Sequence, residues 1–142
     1  MIGILLTTHA DVGQGLINAS ELIVGKQEQI KAVGLFHGDG IDEFKTKVEE
    51  ALAAVDNGDG VIGFVDFLGG TPANTMLQLL KSRDLRCIAG VNMPIMLEAL
   101  TNRENVSLKE LEDKLIQDGR ENIIKLSDVA EQLEYADNEN DF

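Results

Sequence analysis

The chain has 142 residues, of which 44% are hydrophobic, enough for one compact domain with a real core. Its 25 Asp and Glu against 12 Lys and Arg give a formal net charge of −13, which opposes binding to nucleic-acid phosphates or anionic membranes and directs partners towards proteins with basic faces. The single cysteine, Cys87, excludes disulfide frameworks and cysteine metal clusters, and no basic stretch precedes the short apolar run Ile2 to Leu6, so a soluble cytoplasmic protein with a buried, reduced thiol is expected.

Along the chain, short apolar runs alternate with helix-period segments, the pattern of βαβ units around a parallel sheet. Strands are predicted at about 2–7, 29–36, 61–66 and 86–91. The first helix should turn Val12, Leu16, Ala19 and Ile23 inward, open at Asp11 with Gln14 three residues on, and close at Gly25. The second presents Phe44, Val48, Ala51, Leu52 and Val55, with Gly58 and Gly60 beyond its end. Thr71-Pro72 reads as the N-cap and first turn of a third helix that runs to about Arg83. A short helix near 94–102 follows the fourth strand, and Ser107-x-x-Glu110 is a capping box for a helix that carries Leu108, Leu111 and Leu115 to Gly119. Asn122 to Leu126 is expected to be a fifth, antiparallel strand. The acidic segment from Asp137 to Phe142 is too polar to join a core. The fold class is therefore α/β: a single-domain open parallel sheet of order 2-1-3-4 with helices on both faces, and no internal repeat or linker.

Open parallel sheets bind ligands beyond the carboxyl ends of their strands, where neighbouring connections diverge. Both histidines fall there, His9 after the first strand and His37 after the second, together with Asp66, Gly69-Gly70-Thr71, Asn92 and Pro94. With strands one and three adjacent, His9 comes close to Asp66 and the Gly69-Gly70-Thr71 turn. A carboxylate that takes one ring N–H fixes the histidine tautomer and leaves the other nitrogen as a nucleophile. Gly69 and Gly70 allow close approach of backbone N–H groups, and the start of the third helix adds its positive dipole end, so the cluster forms an anion site suited to covalent phosphoryl carriage. There is no P-loop lysine and no nucleotide fingerprint, so ATP is not the expected donor. Blander readings stand beside these: Asp66 as a loop cap, Thr71 as the helix N-cap, the glycines as a simple turn. His37 has no phosphate cradle in its own loop and reads as an ordinary surface residue, and Asn92 and Pro94 read as turn formers, with a polar contact as the alternative for Asn92.

Three stretches carry a family resemblance: the N-terminal strand ending in Thr8-His9; Val65-Asp66-Phe67-Leu68-Gly69-Gly70-Thr71-Pro72-Ala73-Asn74; and Ala89-Gly90-Val91-Asn92-Met93-Pro94. In these the chain resembles the enzyme IIA domains of the mannose-type sugar phosphotransferase system over roughly its first 127 residues, which makes 1–127 the domain and leaves 128–142 as an acidic tail. The resemblance implies that His9 is phosphorylated by the phosphocarrier protein HPr and passes the group to an enzyme IIB component, that Asp66 orients the imidazole, and that the Thr71 hydroxyl contacts the phosphoryl group. It also implies a homodimer in which the last strand is exchanged between subunits. No cofactor or metal is expected, and contact with the membrane is only indirect, through enzyme IIC and IID components. Ala10 departs from the pattern, since many members carry glycine after the histidine. Two other functions are compatible with parts of the chain: the phosphoryl-donor subunit of a dihydroxyacetone kinase, whose middle motif lacks the Gly-Gly-Thr-Pro-x-Asn run, and a non-catalytic anion- or partner-binding module.

Overall fold

In a computed structural model, which describes residues 1–81 and 84–140, four strands form one sheet: β1 (Gly3–His9), β2 (Ile30–Leu35), β3 (Val61–Val65) and β4 (Leu85–Ala89). All pairs are parallel and the order is β2-β1-β3-β4, as expected. The registers Thr7↔Val65 and His9↔Leu35 align the carboxyl ends of β2, β1 and β3.

Side chains alternate across a strand, and β1 distributes its apolar residues accordingly. Ile4 and Leu6 join a core with Ile17 of α1 (Val12–Val24), Ile95, Met96 and Leu100 of α4 (Met93–Asn102), and Leu111 and Leu115 of α5 (Leu108–Glu121). Leu5 joins the opposite core with Phe44, Val48 and Leu52 of α2 (Ile41–Val55) and Ala73, Met76 and Leu79 of α3 (Gly70–Leu79). The Thr7 hydroxyl donates to Met76 Sδ at 3.5 Å on the same side. By the same alternation His9, two residues on, faces α3.

The second helix buries all five residues assigned to it. The first does not: its buried residues are Gly13, Ile17 and Ser20, while Val12 and Ile23 are 46% and 63% exposed. Apolar residues nearly encircle α1, so the stripe is ambiguous by one position; Gly13 lets the helix lie close to Leu6 and Thr8 of β1, and Ser20 faces Met93 of α4. Asp11 makes no side-chain cap; Thr8 Oγ1 accepts the Gly13 N–H at 2.9 Å instead. Gly25 closes the helix as expected, its N–H donating to the Glu21 carbonyl.

Helix α3 begins two residues earlier than Thr71-Pro72 implies, with Gly69 at the N-cap, and ends at Leu79; Arg83 lies outside the described residues. Asn92 does more than turn the chain, because its side chain accepts the Ile95 N–H at 3.0 Å and caps α4. The capping box of Ser107 and Glu110 is present, and α5 continues past Gly119 to Glu121.

Residues 123–125 have no regular structure, so the expected strand Asn122 to Leu126 is absent from the single chain, and helix α6 (Leu126–Asn140) follows. An extended segment needs a strand edge for its ladder, and within the chain this segment forms none with the open edge of β4. Of the acidic segment Asp137 to Phe142, Asp137 is exposed and residues 141 and 142 lie outside the described residues; ahead of it on α6, Leu126, Leu133 and Tyr135 are exposed as well. Cys87 is half-buried rather than fully enclosed, and burial together with Glu112 pushes its thiol up to about 12, which leaves it unreactive. No helix among the described residues is long and apolar enough to cross a membrane.

Candidate functional site

Strand β1 extends through His9, so this side chain stands on the last rung of the central strand rather than in the loop beyond it. Its Nδ1 lies 2.8 Å from Asp66 Oδ2, and the same oxygen accepts the His9 backbone N–H at 3.0 Å. The other carboxylate oxygen accepts the Phe67 N–H at 3.1 Å. Burial pushes the Asp66 carboxyl upward, but the hydrogen bonds from the His9 backbone and ring, and the charge of the ring, hold it below its ordinary value overall. An ionised carboxylate can only accept, so Nδ1 carries a proton and Nε2 is the free ring nitrogen.

The ring is fixed on its face as well. Phe67 stacks on it with centroids 5.1 Å apart and planes 19° from parallel. The His9 side chain retains 39% exposure against 15% for Asp66, so the orienting group is covered and the ring is reachable.

Beyond the ring, Gly69 and Gly70 take φ of +130° and +77°, a region closed to most side chains. Glycine at 70 has a second reason: a Cβ there would stand 3.3 Å from His9 Nε2 and crowd the free nitrogen. Gly69 provides no side-chain cap, so the first N–H groups of α3 are left without a side-chain acceptor at the point where the helix dipole is positive. Because Gly69 is the N-cap, Thr71 is the second residue of the helix and its hydroxyl is not spent on capping.

Thr71 and His9 line one wall of a cleft of about 460 Å³ whose other lining residues are Ala10, Leu35, Phe36, His37, Gly38 and Asp39. His37 is therefore brought to the same cleft as His9, which its own loop sequence did not indicate. The missed signal is Asp39: its Oδ2 accepts the Phe36 N–H at 2.8 Å and its own N–H donates to the Phe36 carbonyl at 3.1 Å, a tight turn that folds the end of β2 towards β1. Ala10, the departure noted above, has φ +45°, the left-handed conformation in which glycine is at ease, and its carbonyl packs on Gly34 where a Cβ would overlap it. A larger cavity, about 960 Å³, lies at the opposite end of the sheet around Met1, Asp59, Asp84 and Arg103. Arg103 is 2% exposed and ties Ile2, Glu28 and Gln29 together through their carbonyls, a structural role far from the histidine. Among the described residues no three His, Cys, Asp or Glu side chains are grouped as metal ligands.

Residues 3–116, a span holding His9, Asp66 and Thr71, match the family described as the PTS system fructose IIA component, EIIA-man. The chain belongs to this family. It is 34% identical over 116 residues to the fructose-specific EIIA component of Bacillus subtilis, covering 81% of this chain and 80% of that protein. It is 30% identical over 124 residues to the mannose-specific EIIAB component of Escherichia coli, covering 86% of this chain but only 38% of that longer protein. Among solved structures, the phosphotransferase system component EIIA from Streptococcus agalactiae superposes with a TM-score of 0.81 at 25% identity, over 89% of this chain and 98% of that one. Membership makes the chain a sugar phosphotransferase component with a transferase role, and the dihydroxyacetone kinase subunit is not favoured.

Proposed function

We propose that the chain is a cytoplasmic phosphocarrier in which Nε2 of His9 takes a phosphoryl group from phospho-HPr and passes it to an enzyme IIB component. The observation that carries this reading is the pairing of His9 Nδ1 with Asp66, which holds Nε2 free beside Gly70 and the uncapped start of α3. In the transfer, the Nε2 lone pair forms the new N–P bond while the donor nitrogen leaves with the electrons of the old one. The Nδ1 proton stays in place, and the positive charge gained by the His9 ring is balanced by Asp66. The backbone N–H groups of Gly70 and Thr71 and the Thr71 hydroxyl receive the phosphoryl oxygens, supplying the positioning and electrostatics that phosphoryl transfer mainly requires. Onward transfer runs the same steps in reverse to an acceptor nucleophile.

The exposed Phe36, Phe67 and Leu68 surround the histidine and give protein partners an apolar surface, while the acidic remainder of the chain favours basic docking faces. Contact with the membrane is through enzyme IIC and IID components. The domain proper spans 1–127, with 128–142 outside it.

The same reading includes a homodimer. Strand β4 ends the sheet with an open edge, and the groove between β4 and α5 is lined by Cys87, Ile88 and Ile116. Ile123, Ile124 and Leu126 are 81%, 61% and 78% exposed, an apolar segment that pairs with the open edge of a second copy and covers both. The phosphocarrier reading is tested by incubating the protein with labelled phosphoenolpyruvate, enzyme I and HPr. Acid-labile phosphate should appear on the wild type and not on His9→Ala; label on His9→Ala removes the assignment.

A further inference from the structure

We infer that His37 is a second phosphoryl-contacting residue, donating a ring N–H to the oxygens of the group carried on His9; this rests on the carrier reading above. The cleft holding His9 is faced by two walls. One supplies Thr71 at the start of α3, and the other is the turn Phe36, His37, Gly38 and Asp39. A phosphoryl group brings about two negative charges into a site already occupied by the ionised Asp66, on a chain with a formal net charge of −13. No lysine or arginine lines the cleft. Asp39 is an acceptor, already engaged by the Phe36 N–H. Apart from His9 itself, that leaves Thr71 and His37 as the only lining side chains able to donate a hydrogen bond.

His37 is placed for this by backbone geometry. The last rung pairs His9 with Leu35, and the Ala10 N–H donates to the Leu35 carbonyl at 2.8 Å, so the chain leaves β2 level with the catalytic ring. Gly38 at φ +84° and the two Asp39–Phe36 hydrogen bonds then turn it back over the cleft. The His37 ring has no hydrogen-bond partner among the described residues, so a donor is available without breaking an existing contact. At about 460 Å³ the cleft is several times the size of a phosphoryl group, leaving room for the far wall to act through side-chain reach.

The test compares wild type, His37→Ala and His37→Gln in rapid-quench phosphorylation by phospho-HPr, with the label mapped to His9. His37→Ala should still label at His9 but about tenfold more slowly, the scale of one hydrogen bond to a charged group, and His37→Gln, which keeps an N–H donor, should recover most of the rate. In the isolated phosphoprotein, without any partner, the His37 ring nitrogen resonances should move when His9 is phosphorylated. Rates within twofold of wild type for His37→Ala, a Gln variant no better than Ala, or unmoved His37 resonances would each overturn the assignment while leaving His9 as carrier. Absence of label on wild-type His9 would overturn the carrier reading, and this one with it.

Discussion

Asp66 Oδ2 receives two N–H groups from one residue, the backbone N–H of His9 at 3.0 Å and its ring Nδ1 at 2.8 Å. A single carboxylate oxygen thereby locks the imidazole to the strand that carries it, and the ring cannot turn about χ1 or χ2 without losing the bond. Orientation and tautomer are set together, before any phosphoryl group arrives.

Replacing Asp66 by Asn removes the charge that balances the phosphorylated ring and permits the wrong tautomer. Transfer from phospho-HPr and onward to enzyme IIB should each slow by at least about tenfold, with the circular dichroism spectrum unchanged. Rapid-quench kinetics in both directions measure this, and unchanged rates would remove Asp66 from the mechanism.

The same pairing has a pH signature. The folded-state pKa of Asp66 lies below its ordinary value of 3.8, so the ionised carboxylate contributes stability that is present above 3.8 and is lost as pH falls through the lower folded value. In urea unfolding, the stability difference between wild type and Asp66→Asn should persist from pH 7 down to about 5 and shrink as the pH falls below the ordinary carboxylate range. A difference that vanishes between pH 7 and 5 would show that Asp66 is not the group responsible.

Ala10 is held at φ +45°, where a side chain costs about 1–2 kcal/mol and glycine is nearly free of strain. A glycine at this position would lose more chain entropy on folding, by about 0.5–1 kcal/mol, so Ala10→Gly should raise stability by a net value of up to about 1 kcal/mol. Ala10→Val should lower it. Denaturant midpoints for the two variants decide the matter, and a destabilised Ala10→Gly would mean that the left-handed conformation is not adopted.

For the proposed dimer, ending the chain at Glu121 removes the exposed Ile123, Ile124 and Leu126 while sparing α5. The shortened chain should sediment as a monomer and unfold at a lower temperature than the full chain. A truncated protein that remains a stable dimer would rule out strand exchange.

How far the fold could be read in advance depended on how one-sided each element is. Helix α2 carries its apolar residues in a single stripe, and Phe44, Val48, Ala51, Leu52 and Val55 are all buried. Helix α1 is apolar on most sides and buries Gly13 and Ser20, residues that a hydrophobic pattern does not select. Its cap comes from Thr8, on the preceding strand, rather than from Asp11, because the tertiary position of the Thr8 hydroxyl outweighs local capping preference. At the site, His9, Asp66 and Gly69-Gly70-Thr71 were legible because a parallel sheet delivers the carboxyl ends of adjacent strands to one place. His37 was not, since its approach depends on a turn closed by Asp39, two residues further on. The segment at Ile123 and Ile124 has strand-like composition, but a strand forms only by pairing with an edge, and within the single chain it makes no ladder with β4.

Nitrogen-resolved NMR of the phosphorylated protein tests the central claim most directly. The phosphorus should couple to Nε2 of His9, with Nδ1 of the same ring still protonated against Asp66; phosphorus bonded to Nδ1 of His9, or to a ring nitrogen of His37, would contradict it.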